Sequence, residues 1–180
     1  MIQVTIPGGE LFDPKTNEFI NFKTTTVSLE HSLISISKWE AKWKKSFFKN
    51  EERSLDEIID YIACMCVTPN VDPRIFHKIS SKEVKKVSDY ISDPMTATTF
   101  HDLEDHKANK QTVTSELVYY WMIAYNIPFE CQKWHINRLL TLIRICGIKN
   151  APPKKISKAE MMRKRAQVNA ERRSRLHTKG

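Results

Sequence analysis

The sequence predicts a predominantly helical α+β protein: a small N-terminal β element, then a helical bundle, then a basic C-terminal tail that is helical or disordered. Three observations predict it. Residues 2–6 alternate apolar and polar side chains, the period of a half-buried strand, and turn-forming residues follow at once. From Ser32 onward apolar residues recur at three- and four-residue spacing, which is the helical period. Of 29 Lys and Arg and 21 Asp and Glu, ten and two fall in 151–180, leaving 19 of each sign in 1–150. The tail thus carries the whole net charge of +8, as if placed for a partner rather than spread for solubility. The expected domains are 1–30 (β element), 31–150 (helical domain) and 151–180 (basic tail).

The β element rests on Ile2-Gln3-Val4-Thr5-Ile6, the turn at Pro7-Gly8-Gly9, and Leu11-Phe12 and Glu18-Phe19-Ile20 on either side of a hairpin loop at 13–17. Thr24 to Leu29 supplies a third strand. A first helix is expected over Ser32 to Phe48, with Trp39, Trp43 and Phe47 on one face and lysines around it. That stripe reads as core; the alternative is that its tryptophans stack on bases. Ser54-Leu55-Asp56-Glu57 and Ser80-Ser81-Lys82-Glu83 are capping-box patterns that open two more helices, the latter burying Val84, Val87, Tyr90 and Ile91. Val71 to Ile79 between them carries no assignable pattern. Residues 92–113 are polar, Thr-rich and without period, and predict a functional or mobile loop.

Helix resumes at Ser115 to Tyr125 and is interrupted at Ile127-Pro128. A second segment is expected from about Glu130 to Cys146, stopping at Gly147. Ile136, Leu139, Leu140, Ile143 and Cys146 share its broad apolar face, extended by Leu142 and Ile145. Such a face is either central to the core or spare surface for a partner. Pro152-Pro153 then separates the tail. There Ser157-Lys158-Ala159-Glu160 gives a third capping-box pattern, and Met161, Arg165 and Val168 mark a sparse stripe. A helix that orders on a partner is expected.

Catalytic chemistry finds little support. The four glycines are too few for Gly-rich phosphate loops, and no G-x-G-x-x-G, G-x-x-x-x-G-K-[ST] or G-x-S-x-G occurs. His101-Asp102-Leu103-Glu104-Asp105-His106 gathers metal-ligating types without a further spaced ligand, and reads as a solvated loop. Cys131 and His135 stand four apart but are only two ligands. Cys64, Cys66, Cys131 and Cys146 read as reduced structural thiols. No cofactor, metal or catalytic residue is expected. No stretch approaches eighteen consecutive apolar residues and no signal-peptide layout opens the chain, so a soluble protein without a membrane partner is expected.

Val27 to Glu40 (VSLEHSLISISKWE), with Trp43 and Phe47-Phe48, resembles the N-terminal part of the tail assembly chaperones of long-tailed (siphovirus-type) phages and prophages. Ile127 to Glu130 (IPFE), Trp134 to Arg144 (WHINRLLTLIR), Lys149 to Lys158 (KNAPPKKISK), Asn169 to Arg173 and Thr178 to Gly180 resemble their C-terminal part. The resemblance spans 27–66 and 114–180 and offers no counterpart to 92–113. It implies a helical, non-enzymatic protein of the host bacterial cytoplasm that binds the tape measure protein, a long helical client. Such a protein keeps its client soluble while the tail tube assembles, and is missing from the finished particle. Contacts with the tail tube protein and self-association follow as further partners, with nucleic acid ranked behind protein. The contact residues are expected to be Trp134, Leu139, Leu140 and Ile143 for the apolar surface and Met161, Arg163, Arg165, Arg172 and Arg173 for the tail. The rivals are a small nucleic-acid-binding protein using the tail, with salt-sensitive binding, and a structural virion subunit. A metal-dependent hydrolase centred on His101 and His106 ranks last.

Overall fold

The computed structural model describes residues 1–13, 17–49, 51–100, 112–151 and 158–176. Its contacts divide the chain into two compact units, Met1–Ile148 and Lys149–Gly180. The fold is predominantly helical α+β, with two small antiparallel sheets near the N-terminus.

Four strands open the chain: β1 (Ile2–Ile6), β2 (Gly9–Asp13), β3 (Glu18–Phe22) and β4 (Thr25–Leu29). β1 pairs with β4, Ile2 opposite Leu29 and Val4 opposite Val27, and the β2–β3 hairpin is inserted between them in sequence. The alternation read from residues 2–6 therefore has a partner to match: Val4, Ile6, Val27 and Leu29 all turn into the core. Gly8 stands where the two sheets meet. A Cβ on it would lie 2.7 Å from the Thr24 nitrogen and 2.8 Å from the Phe22 oxygen, so only glycine lets the two strand connections pass. β4 is covered on its other side by residues 65–68. Glu30 N–H donates to Met65 O and Val67 N–H to Ser28 O, both at 2.9 Å. The sheet edge is thereby paired rather than left open.

Helix α1 (Leu33–Trp43) begins at a reciprocal cap between Ser32 and Ser35 and stops where Lys44 turns left-handed at φ 56°. The expected continuation to Phe48 is corrected. The chain reverses after Trp43, and the Phe47 ring comes back to lie 5.6 Å from Trp39 and 4.3 Å from Tyr61. Trp39 itself is buried and donates Nε1–H to Glu57 O at 2.9 Å, as the core reading of that stripe requires. Helix α2 (Leu55–Cys64) opens on the Ser54–Glu57 capping box with both bonds made. The unassigned stretch at 71–79 is a 3-10 turn, Pro73–Lys78, that buries Ile75 and Phe76.

Helix α3 (Ser81–Ser92) is capped by Ser80, whose side chain accepts from Glu83 N–H, and buries Val87. Residues 93–100 have no regular structure; the rest of the polar loop, 101–111, lies outside the described residues. Helix α4 (Ser115–Ala124) follows, capped by Thr114. The helix expected from Glu130 is corrected to a 3-10 turn, Phe129–Lys133, an extended Trp134, and then α5 (Ile136–Asn150). The break is held from outside: Ile136 N–H donates to His31 O at 2.7 Å, and His135 bridges Ser32. The expected stop at Gly147 is corrected too. Gly147 lies inside α5, where a Cβ would meet the Tyr125 hydroxyl at 3.2 Å. It is glycine for close approach, not for termination.

In the second unit, α6 (Lys158–Leu176) is a helix of 19 residues. Its expected cap, Ser157, lies outside the described residues. No helix among the described residues is long and apolar enough to cross a membrane.

Candidate functional site

The contact residues proposed from sequence divide between core and surface. Leu139 and Ile143 are 0% and 7% exposed, and both belong to the core that α5 shares with Leu33, Ile36 and Met122. Their place on a contact surface is corrected: the inward side of the broad face is consumed by packing. Trp134 and Leu140 are half-buried at the margin of that core. The Trp134 ring is covered by the Arg138 guanidinium, 4.3 Å from its centroid, a cation–π contact fixed by the helix start between them. Trp134, Lys133 and Arg138 line a cleft of about 290 Å³ together with Glu30, Tyr90 and His135. The surface at this corner is aromatic and cationic, not simply apolar.

A partly buried polar chain supports the cleft. His135 Nδ1 accepts from Asn137 N–H at 3.3 Å, which leaves Nε2–H to donate to Tyr90 O at 3.0 Å. Tyr90 in turn donates its hydroxyl to Glu30 at 2.6 Å, and burial, followed by that carboxylate, holds its proton on more tightly than usual. The His31 ring lies 4.9 Å from His135 and shares a hydrogen bond with the Tyr61 hydroxyl. Burial first, then the neighbouring His135 and Arg53, lower the His31 pKa to about 3. Burial also lowers that of His135. Both imidazoles are held neutral, and both nitrogens of His135 are engaged. Cys131 and His135 do not share a helix, because the 3-10 turn ends between them. Among the described residues no group of three or more His, Cys, Asp and Glu is arranged to hold a metal ion. The segment from His101 to His106 lies outside the described residues.

Exposed apolar surface occurs instead on α4 and the turn after it. Tyr120 and Ile123, three apart on one helix face, are 62% and 60% exposed, and Phe129 is also exposed. Sequence reasoning placed the spare surface on the following helix. The available signal was that SELVYYWMIA is apolar all round, whereas packing takes up only one side, through Val118 and Met122.

The tail helix is the other candidate surface. In α6, Met161, Arg165, Val168, Arg172 and Leu176 recur at four-, three-, four- and four-residue spacing, and all are exposed. Three apolar side chains thus alternate with two guanidinium groups along one face. Arg163 and Arg173 are exposed beside it. Comparison with protein-family models, curated proteins and solved structures returns no match.

Proposed function

We propose that this chain is a tail assembly chaperone of a long-tailed phage or prophage, acting in the bacterial cytoplasm to bind the tape measure protein and hold it soluble while the tail tube forms. One observation carries the reading: the net charge gathers in 151–180, where α6 has seven basic side chains against two acidic and its exposed face interleaves Met161, Val168 and Leu176 with Arg165 and Arg172. Such a face suits a long amphipathic helix with acidic flanks. Apolar side chains supply area, flexible methionine adapts to imperfect partners, and the arginines steer and set register. The resemblance over 27–66 and 114–180 names the client. Exposed Tyr120 and Ile123 on α4 give the body its own apolar contact.

The test is co-expression of the client with the full chain and with a chain lacking 151–180, after circular dichroism shows that the shortened body is folded. The proposal predicts that the full chain keeps the client soluble and co-purifies with it, and that the shortened chain rescues much less. Equal rescue by both would remove α6 from the contact. Co-purification of nucleic acid in place of the client, lost steeply with salt, would turn the reading to the nucleic-acid-binding alternative.

A further inference from the structure

A cleft of about 290 Å³ opens between α2 and α3, walled by Ile58, Ile62, Val84, Val87 and Ile91. Among the other lining residues are Arg53, Tyr61 and the exposed Ser88. Arg53 is half-buried, its guanidinium 4.3 Å from the centre of the Phe47 ring and 5.4 Å from that of Trp39. It donates a hydrogen bond to Phe47 O. No carboxylate pairs with it among the described residues, and two of the acids of α2, Glu57 and Asp60, are held by lysines. Glu57 takes Lys45 on one oxygen and Ser54 N–H on the other, at 2.7 Å. Asp60 takes Lys42 and the Trp43 indole. The two rings and the carbonyl offset part of the cost of half-burying this cation, and an anion on its free N–H groups would offset more.

We infer that this cleft binds an amphipathic monocarboxylate, its carboxylate on Arg53 and its apolar body between α2 and α3. A guanidinium donates two parallel bonds to a carboxylate, a strong and directional pairing. At about 290 Å³ the cleft falls just short of the usual range of small-molecule sites, about 300–1,000 Å³, which favours a single compact acyl chain. An apolar wall with one cation at its edge selects against both neutral and cationic amphiphiles. All of the lining residues belong to the first unit.

Decanoate, decanol and decylammonium are the probes, titrated calorimetrically into the full chain. Saturable one-site binding of decanoate is expected, with decanol about tenfold weaker and decylammonium weaker still. Arg53→Gln should weaken decanoate about tenfold, with Arg53→Lys restoring part of the affinity. Because Arg53 also holds the Phe47 carbonyl, a second variant is needed. Ser88→Phe places a ring over the cleft from an exposed position and should abolish binding while leaving the melting temperature unchanged. The inference is overturned if decanoate does not saturate, if decanol binds equally well, or if Ser88→Phe leaves binding intact.

Discussion

Glu40 joins two distant turns. It is 7% exposed; one oxygen accepts from Phe47 N–H and the other from Ser115 N–H, each at 2.7 Å. The first bond secures the reversal after α1, and the second satisfies a free N–H at the start of α4. Glu40→Ala would leave one buried and one half-buried donor without a partner, and a loss of about 3 kcal/mol in urea unfolding is expected. Glu40→Gln keeps one carbonyl acceptor and should lose about half as much. His31 makes a pH prediction. Its folded pKa of about 3 lies below the ordinary 6.5, so the unfolded chain takes up the proton first. Above pH 6.5 it contributes no pH dependence; as pH falls from there towards 3, stability should decline by up to about 1.4 kcal/mol per pH unit. His135 adds in the same direction. Unfolding measured across that window should show a shallower slope in His31→Gln than in the natural chain, and an equal slope would contradict it.

At the scale of elements, helix starts made by local caps were legible, whereas the ends of α1 and α5 and the start of α5 were not. Ser54 with Glu57 and Ser80 with Glu83 announce their helices because a cap is made by side chains within three residues of the backbone they satisfy. The end of α1 depends on Glu40, which also holds Ser115, 75 residues away. The start of α5 depends on His31 O. Neither partner is visible in a local window. Gly147 shows the same limit: the residue that explains it, Tyr125, belongs to the segment after α4. Alanine at 147 should gain about 1 kcal/mol of helix propensity and lose a similar amount against the Tyr125 hydroxyl. Gly147→Ala is therefore expected to be near neutral alone and stabilising by about 1 kcal/mol in a Tyr125→Phe background. Thermal unfolding of the four proteins of that cycle measures the coupling.

The candidate surface was legible where it rested on charge and hidden where it rested on packing. Counting Lys and Arg is enough to isolate 151–180, and α6 presents Arg165 and Arg172 on an exposed face. Of the expected apolar surface, Trp134 and Leu140 are half-buried and Leu139 and Ile143 buried, because the periodicity of α5 cannot say which side is covered. Leu139 and Ile143 face the core, whereas Tyr120 and Ile123 on α4 remain outside. For the whole molecule, the account holds that α6 grips a helical client by joint apolar and cationic contact. The most direct measurement is the amount of tape measure protein that co-purifies with the full-length chain carrying Arg165→Glu and Arg172→Glu, beside one carrying Val168→Ser. Both are predicted to fold and to lose most of the client, the charge reversal more completely. Client recovery unchanged by either variant would contradict the account.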